Sequence, residues 1–277
     1  MRQIIAALLG ASALSIASVP GTRAADIPVS APAAVKAPAA VVAGAYNWTS
    51  FYAGLNVGGA WSHANVDSST IYAPPADWFG SPSNVAQFNA VGAQRDKASG
   101  FTGGAQAGFN WQAGNFVTGL ETDFQYFHQH GVGTASGILP TSGNLAFTIS
   151  QSFSTDWLWT LRPRLGVAAN NWLFYATGGL ALTKLKANWQ FMDAANESEF
   201  TSLSKTRTGW TVGGGVEYAL SNAWSLKAEY LYLNFGDAQI TTNNILDGAS
   251  PVPRQPVFHS VSLASNIVRV GLNYQFH

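Results

Sequence analysis

The stretch that decides the fold is the first long alternation in the chain, residues 51–61, which read FYAGLNVGGAW. Phe51, Leu55 and Trp61 share the odd positions, while small or polar residues such as Gly54 and Asn56 share the even ones. Because successive side chains of a β-strand point to opposite faces, this period of two predicts a strand with one apolar face. Its length suffices for a tilted strand to cross a membrane.

The same alternation recurs seven more times toward the C-terminus. No segment after residue 24 has the 18 consecutive apolar residues that a helical membrane span needs. We therefore predict an all-β fold, an eight-stranded antiparallel transmembrane up-and-down β-barrel. Its predicted strands are 51–61, 100–112, 115–126, 156–168, 172 to about 186, 206–219, 223–235 and 264–276.

The connections between these strands alternate in length. Short turns at 113–114, 169–171 and 220–222 carry Gly and Asn, which suit the positive φ of hairpin turns. The other four connections are long, and we predict them to be surface-exposed loops. Short turns on one side and long loops on the other are typical of an outer-membrane barrel, with both termini in the periplasm. The four loops span 62–99, 127–155, 187–205 and 236–263.

Aromatic residues of the apolar parity cluster at both strand ends. A water-soluble barrel would turn this parity inward, whereas a membrane barrel turns it toward lipid. Two aromatic belts fit the two interfaces of a membrane and favour the second arrangement. The belt at the short turns contains Phe51, Trp111, Phe116, Trp172, Trp224 and Phe276, and the belt at the long loops contains Trp61, Phe101, Tyr126, Trp157, Trp210 and Tyr232.

The composition excludes several classes of protein. Only 10% of the 277 residues are charged, with 14 basic and 14 acidic side chains, while 47% are hydrophobic. Soluble domains carry about 25% charged residues, and a nucleic-acid binder would need a basic patch. The chain has no Cys, so disulfides and thiolate metal sites are excluded.

The N-terminus predicts export from the cytoplasm. Arg2 precedes an apolar run from Ile4 to Val19, and small residues follow, so we interpret residues 1–24 as a signal peptide. Residues 25–45 are rich in Ala and Pro and predict an extended periplasmic tether. The barrel itself is predicted to span 46–277.

Four motifs carry a family resemblance. They are NWTSFYAGLNVGG at 47–59, YATGGLA at 175–181, GWTVGGGVEY at 209–218 and LKAEYLY at 226–232. In this order they resemble the alpha-proteobacterial small outer-membrane β-barrel family of porin-like proteins and surface antigens, which is similar to the OmpA transmembrane domain. The resemblance implies location in the bacterial outer membrane and assembly through an aromatic at the end of the last strand. Phe276 would serve there, although His277 follows it.

The inward parity of the predicted strands carries a balanced set of charges. Because an eight-stranded barrel is barely wide enough for its own side chains, we predict that these charges form an ion-paired plug. Glu217 and Lys227 flank a short turn and should face each other. Separately solvated charges in a water-filled passage remain the alternative. The set comprises Glu121, Asp123, Glu217 and Glu229 with Arg162, Arg164, Lys227 and Arg269.

The histidines offer a weaker hypothesis about ligand binding. His63, His128, His130 and His259 fall at strand rims or in predicted loops, and neutral imidazole can bind haem iron. Some members of the family bind haem, which makes His128 and His130 a candidate ligand site. These residues have no recognisable nucleophile or orienting partner beside them, so we predict no enzyme, no cofactor and no catalytic or metal site.

The predicted function is therefore structural and surface-interactive, with a plugged lumen. A narrow porin for small solutes is the alternative, and haem or ligand binding by loop histidines is the second alternative. Expected partners are outer-membrane lipid and lipopolysaccharide, the barrel-assembly machinery through Phe276, and a host or cell-surface partner, but no nucleic acid. The first loop, with 72–75, Trp78 and Phe79, is the predicted contact surface.

Overall fold

A computed structural model describes residues 46–74, 78–243, 245–247, 250–251 and 255–277. The predicted signal peptide and tether, 1–24 and 25–45, lie outside the described residues. Among the residues that the structure describes, no helix has the length and apolarity needed to cross a membrane.

Eight long strands form the body of the described chain. They have 19 to 25 residues each, roughly one and a half to two times the predicted length. The strands are β1 (Ser50–Thr70), β2 (Ala93–Ala113), β3 (Phe116–Leu139), β4 (Leu145–Ala169), β5 (Trp172–Asp193), β6 (Ser198–Ala219), β7 (Trp224–Thr242) and β10 (Val257–Phe276). One helix, α1 (Pro82–Gly92), precedes β2, and two short strands, β8 (Leu246–Asp247) and β9 (Ser250–Pro251), precede β10.

Antiparallel pairing closes the eight strands into a barrel. Each long strand pairs with its neighbour in sequence, β7 pairs with β10, and β10 returns to β1. The predicted eight-stranded up-and-down topology is confirmed. The short turns are confirmed as well, with Gly114 at φ 60° and Asn170 at φ 54°.

The prediction of four long loops is mostly wrong, because the strands continue through most of the residues assigned to them. The loop expected at 127–155 is reduced to residues 140–144, since β3 runs to Leu139 and β4 begins at Leu145. The loop expected at 187–205 is reduced to 194–197. Polar residues dominate the outward parity of these extensions, and this loss of apolar alternation is what made them look like loops.

The exterior of the barrel is most continuously apolar between the two aromatic belts. Leu55, Leu165 and Phe124 are 68%, 67% and 57% exposed there. We call this part of the barrel, which contains 51–61 of β1, the belted half. About eleven residues at 3.3 Å each, tilted by some 40°, give a band about 28 Å tall, close to the apolar band of outer-membrane barrels.

Beyond the outer belt, the strands continue as a projecting half. The β2–β3 ladder ends at Thr102 opposite Phe127, and the β6–β7 ladder ends at Trp210 opposite Asn234. The other six ladders continue nearly to the tips. The projecting half therefore consists of two four-stranded sheets, β3–β6 and β7–β10–β1–β2, that meet at two seams.

An apolar core fills the space between these two sheets. It begins at the outer belt with residues such as Leu231 and Phe127, both fully buried, and continues upward through Trp189. At the tip, Phe88 of α1 packs on Phe79 and Phe191, with ring centroids 4.9 and 5.6 Å apart. Helix α1 starts at Ser81, whose Oγ accepts a hydrogen bond from the Asn84 backbone N–H at 3.2 Å. The helix thus contributes Val85 and Phe88 to the apolar core at the tip.

Candidate functional site

The eight charged residues of the inward parity lie together in the lumen of the belted half. All eight are at most 4% exposed. They project from β3, β4, β6, β7 and β10, and their strand positions share one parity, so the pleat alone aims them all at the barrel axis. The layer contains four carboxylates and four cations, and its formal charge is zero.

Glu121 is the centre of this layer, because it contacts all four cations. Its carboxylate lies 2.6 Å from Arg162 Nη2 and 2.9 Å from Lys227 Nζ. Arg164 and Arg269 approach it at 3.5 and 3.6 Å. Removing Glu121 would therefore leave four buried cations with three carboxylates, a layer with one uncompensated positive charge.

The remaining carboxylates link the cations into one network. Arg162 donates to Asp123 at 2.7 Å and to Glu229 at 3.2 Å. Arg269 reaches Asp123 at 3.1 Å and Glu229 at 2.6 Å. Buried ions in this geometry offset part of their desolvation cost only because each has several partners.

Neutral side chains that sequence reasoning missed complete the network. Tyr52 donates its hydroxyl to Glu121 at 2.6 Å, and Tyr175 donates to Glu229 at 2.9 Å. The Arg164 guanidinium carbon lies 4.9 and 5.0 Å from the centroids of these two rings. Each ring lies over a glycine of the next strand: Tyr52 is paired with Gly108, and Tyr175 with Gly215. A Cβ on either glycine would lie 2.4 to 2.6 Å from the tyrosine hydroxyl.

The predicted partnership of Glu217 with Lys227 is correct in register but wrong in contact. The two residues are paired across β6 and β7. Lys227 nevertheless turns to Glu121, while Glu217 accepts from Arg164 at 3.3 Å and from Asn273 at 2.8 Å. The axis of the barrel offers Lys227 a carboxylate with two oxygens at 2.9 Å, and strand pairing does not determine that choice.

Apolar layers lie on both sides of the charged layer. Below it, Trp48 and Leu173 are fully buried in the mouth of the barrel near the short turns. Above it, the core of the projecting half begins with Leu231 and Ile267. The interior therefore changes from apolar to ionic and back to apolar along the axis.

The predicted histidine site does not lie in loops. His128 and His130 belong to β3, where both side chains point outward above the outer belt. His63 also points outward, from β1. His259, by contrast, is buried inside the barrel on β10, because the loop predicted there is largely strand.

His259 belongs to a small hydrogen-bonded group inside the projecting half. Its Nδ1 lies 2.9 Å from Ser68 Oγ, and its Nε2 lies 3.1 Å from Glu199 Oε1. Hydroxyl, imidazole and carboxylate are the groups of a catalytic triad, but all three residues are 2% exposed. At this burial the hydroxyl is not open to a substrate, so the three residues form a hydrogen-bonded polar group within the core.

The described residues contain no group of three or more His, Cys, Asp or Glu side chains placed to hold a metal ion. The charged layer itself neutralises its carboxylates with Arg and Lys. Its chemistry is therefore that of an internal salt network.

Comparison with known proteins assigns the family. A family model described as "Outer membrane protein beta-barrel domain" matches residues 28–276. The chain belongs to this family of outer-membrane β-barrel proteins. Membership confirms the predicted resemblance and the predicted location in the bacterial outer membrane. The belted half is thus the part of the barrel that lipid surrounds.

Two relatives illustrate the range of similarity within outer-membrane proteins. The "31 kDa outer-membrane immunogenic protein" of Brucella melitensis is 36% identical over 270 residues, which cover 95% of this chain and 97% of that protein. The "22 kDa outer membrane protein" of Rhizobium leguminosarum is 33% identical over 136 residues, 49% of this chain and 53% of that protein.

Two solved outer-membrane proteins show a weak structural similarity to this chain. Ail, the attachment invasion locus protein of Yersinia pestis, has 13% identity and a TM-score of 0.35, covering 82% of this chain and 99% of its own. The outer-membrane protease OmpT of Escherichia coli has 10% identity and a TM-score of 0.41, covering 83% and 98%. At these identities and TM-scores, neither similarity supports a conclusion about this chain.

Proposed function

We propose that this outer-membrane barrel is a sealed, non-enzymatic surface protein that stabilises the membrane and displays its projecting half. The observation that carries the proposal is the charged layer, in which Glu121 joins four cations in the middle of the lumen. A diffusion path would have to pass this layer and the apolar core above it. A salt network with so many contacts opposes such passage.

Planar-bilayer conductance tests the seal. Protein whose folding is verified by heat-modifiable gel mobility should give no discrete current steps, while a known porin in the same bilayers gives them. Reproducible steps would contradict the seal and favour the narrow porin. In that event the double variant Glu121→Ser, Lys227→Ser should change the step size, and the exterior pair variant Asp156→Ser, Lys186→Ser should not.

Surface display is supported by the length of the projecting half and by the name "immunogenic" that the Brucella relative carries. The proposal predicts that an epitope tag inserted in the exposed turn 140–144 is bound by antibody on intact cells. The same tag at the short turn 220–223 should be bound only after the outer membrane is opened. Equal binding at both positions would contradict the orientation.

The contact surface at the tip differs from the predicted one. Phe79 is buried and Trp78 is partly buried in the tip core, whereas Ile71 and Tyr72 remain 51% and 43% exposed. Pro75 lies outside the described residues. A host or cell-surface partner is therefore proposed to meet the tip through the segment that contains Ile71 and Tyr72.

Lipopolysaccharide is a further proposed partner. Lys97, Lys184 and Lys186 point outward just beyond the outer belt, where the phosphates of an outer leaflet lie. Lys97 is paired with His63, which lies two residues beyond Trp61. Assembly through the last strand is proposed as well, because Phe276 is 56% exposed beside the paired Phe51.

A further inference from the structure

Three buried side chains at the β2–β3 seam carry unpaired oxygen atoms inside the projecting half. Gln94 and Asp96 lie on β2, and Gln151 lies on β4. They are 9%, 6% and 0% exposed. Gln94 Oε1, Asp96 Oδ2 and Gln151 Oε1 have no hydrogen-bond partner among the described residues. An unpaired buried acceptor costs about 1 to 3 kcal/mol, so three of them in this part of the barrel call for an explanation.

Gly133 makes room for this group of oxygens. A Cβ built on Gly133 would lie 2.4 Å from Asp96 Oδ1 and 2.4 Å from Gln94 Oε1. Both oxygens are therefore within 2.4 Å of one point, and less than about 5 Å from each other. Gln151 is the cross-strand partner of Gly133, so its side chain starts on the same inner face.

The orientation of both amides is determined by their nitrogen atoms. Gln94 Nε2 donates to the carbonyls of Val91 and Ile149 at 3.3 and 3.1 Å. Gln151 Nε2 donates to the carbonyl of Gly92 at 2.7 Å. With each NH₂ group engaged by a backbone carbonyl, each amide presents its oxygen as an acceptor.

We propose that Gln94, Asp96 and Gln151 bind a calcium ion. Carboxylate and amide oxygens are the ligands that Ca²⁺ prefers, and its flexible coordination allows water to complete the shell. A single carboxylate fits the weak, millimolar affinity of extracellular calcium sites. The ion would tie β2 to β4 across the seam, where the β2–β3 ladder has already ended. Two of the three ligands are amides, so Asp96 supplies the only carboxylate among them.

Terbium luminescence tests the proposal on the full refolded chain in detergent free of lipopolysaccharide. Trp189 is the cross-strand partner of Gln151 and can sensitise Tb³⁺ bound there. We expect luminescence that Ca²⁺ displaces, and at least about tenfold weaker Tb³⁺ binding in Asp96→Asn, since even indirect partners of a metal contribute that much. Asp67→Asn removes another partly buried carboxylate of the projecting half and should bind as the parent does.

A second pair of variants keeps the Asp96 carboxylate and changes only the room available beside the oxygens. Gly133→Ala places a methyl group between the two oxygens and should also weaken Tb³⁺ binding. Gly137→Ala creates a comparable contact, 2.8 Å from Phe147 and Val91, but leaves the oxygens alone and should bind normally. Heat-modifiable mobility verifies the folding of each variant. If the parent gave no luminescence that Ca²⁺ displaces, or if Asp96→Asn bound Tb³⁺ equally well, the calcium site would be wrong. The oxygens would then be hydrogen-bonded by water or by a protonated Asp96.

Discussion

The belted and projecting halves are built from the same strands with opposite polarity. On β1, Leu55 points outward and Asn56 inward in the belted half, whereas Asn65 points outward and Val66 inward in the projecting half. The strand keeps the same alternation of inward and outward positions, but the polarity of those positions is reversed. The reversal therefore reflects a different medium around the barrel. Lipid demands an apolar exterior, while water rewards an apolar interior.

The two interiors are consequently held together by different forces. In the belted half, moving an apolar side chain from lipid into the lumen gains no hydrophobic free energy, because lipid is itself apolar. An ionic network with Glu121 at its centre fills the lumen there. In the projecting half, residues such as Phe88 and Trp189 form an apolar core of the ordinary kind. This difference predicts which substitutions each half tolerates.

The largest effect is expected at the centre of the charged layer. Glu121→Gln preserves the size of the side chain but removes the negative charge that faces four cations. Leaving buried charges uncompensated costs about 3 to 5 kcal/mol. The measurement is the urea midpoint of unfolding from lipid vesicles.

The exposed pair on the projecting half is the control for that substitution. Asp156 lies 2.6 Å from Lys186, with both side chains about 40% exposed. Asp156→Asn should cost less than about 1 kcal/mol. If Glu121→Gln unfolded at the midpoint of the parent, the lumen charges would be separately solvated and the plug would be wrong.

An intermediate effect is expected on the exterior of β1. Leu55→Arg places a charge in the middle of the belted half and should cost about 2 to 4 kcal/mol. Asn65→Arg makes the same residue on the same face of the same strand, but in water, and should stay within about 0.5 kcal/mol of the parent. Folding yield into vesicles and the urea midpoint measure both. Similar costs at the two positions would place the membrane boundary elsewhere.

The smallest effect is a pH dependence at Asp156. A hydrogen bond from Lys186 lowers the pKa of this carboxyl below its ordinary value of 3.8. A lowered folded pKa stabilises the protein above that ordinary value and ceases to do so as pH falls through the lowered one. The stability difference between parent and Asp156→Asn should therefore shrink below about pH 4. A difference that stays constant down to pH 2 would mean the pair does not form.

Strand parity was the most informative feature of the sequence. It predicted eight strands and the inward direction of residues such as Arg162 and Lys227. Strand parity did not predict the contacts inside the lumen, because long side chains contact partners across the barrel axis, as Lys227 does with Glu121. Tyr52 and Tyr175 were missed, although an aromatic paired with a glycine on the next strand is a usable signal.

The projecting half was missed for a related reason. The alternation in 127–139 does not end; polar residues take over the outward positions, and Phe127 points inward. A strand prediction based on apolar outward positions ends before residue 127, and it therefore assigns His128 and His130 to a loop. A search for period two with either polarity would have continued.

The sequence by itself determined the strand period, the number of spans, the aromatic belts and the neutrality of the inward charges. These are local properties, because each follows from the alternation of residue types along a single strand. The tertiary structure decided the partners of each charge, the two seams and the placement of Gln94, Asp96 and Gln151 on one inner face of the barrel. These depend on which strands face one another across the lumen, and closure of the barrel brings residues more than 50 positions apart into contact.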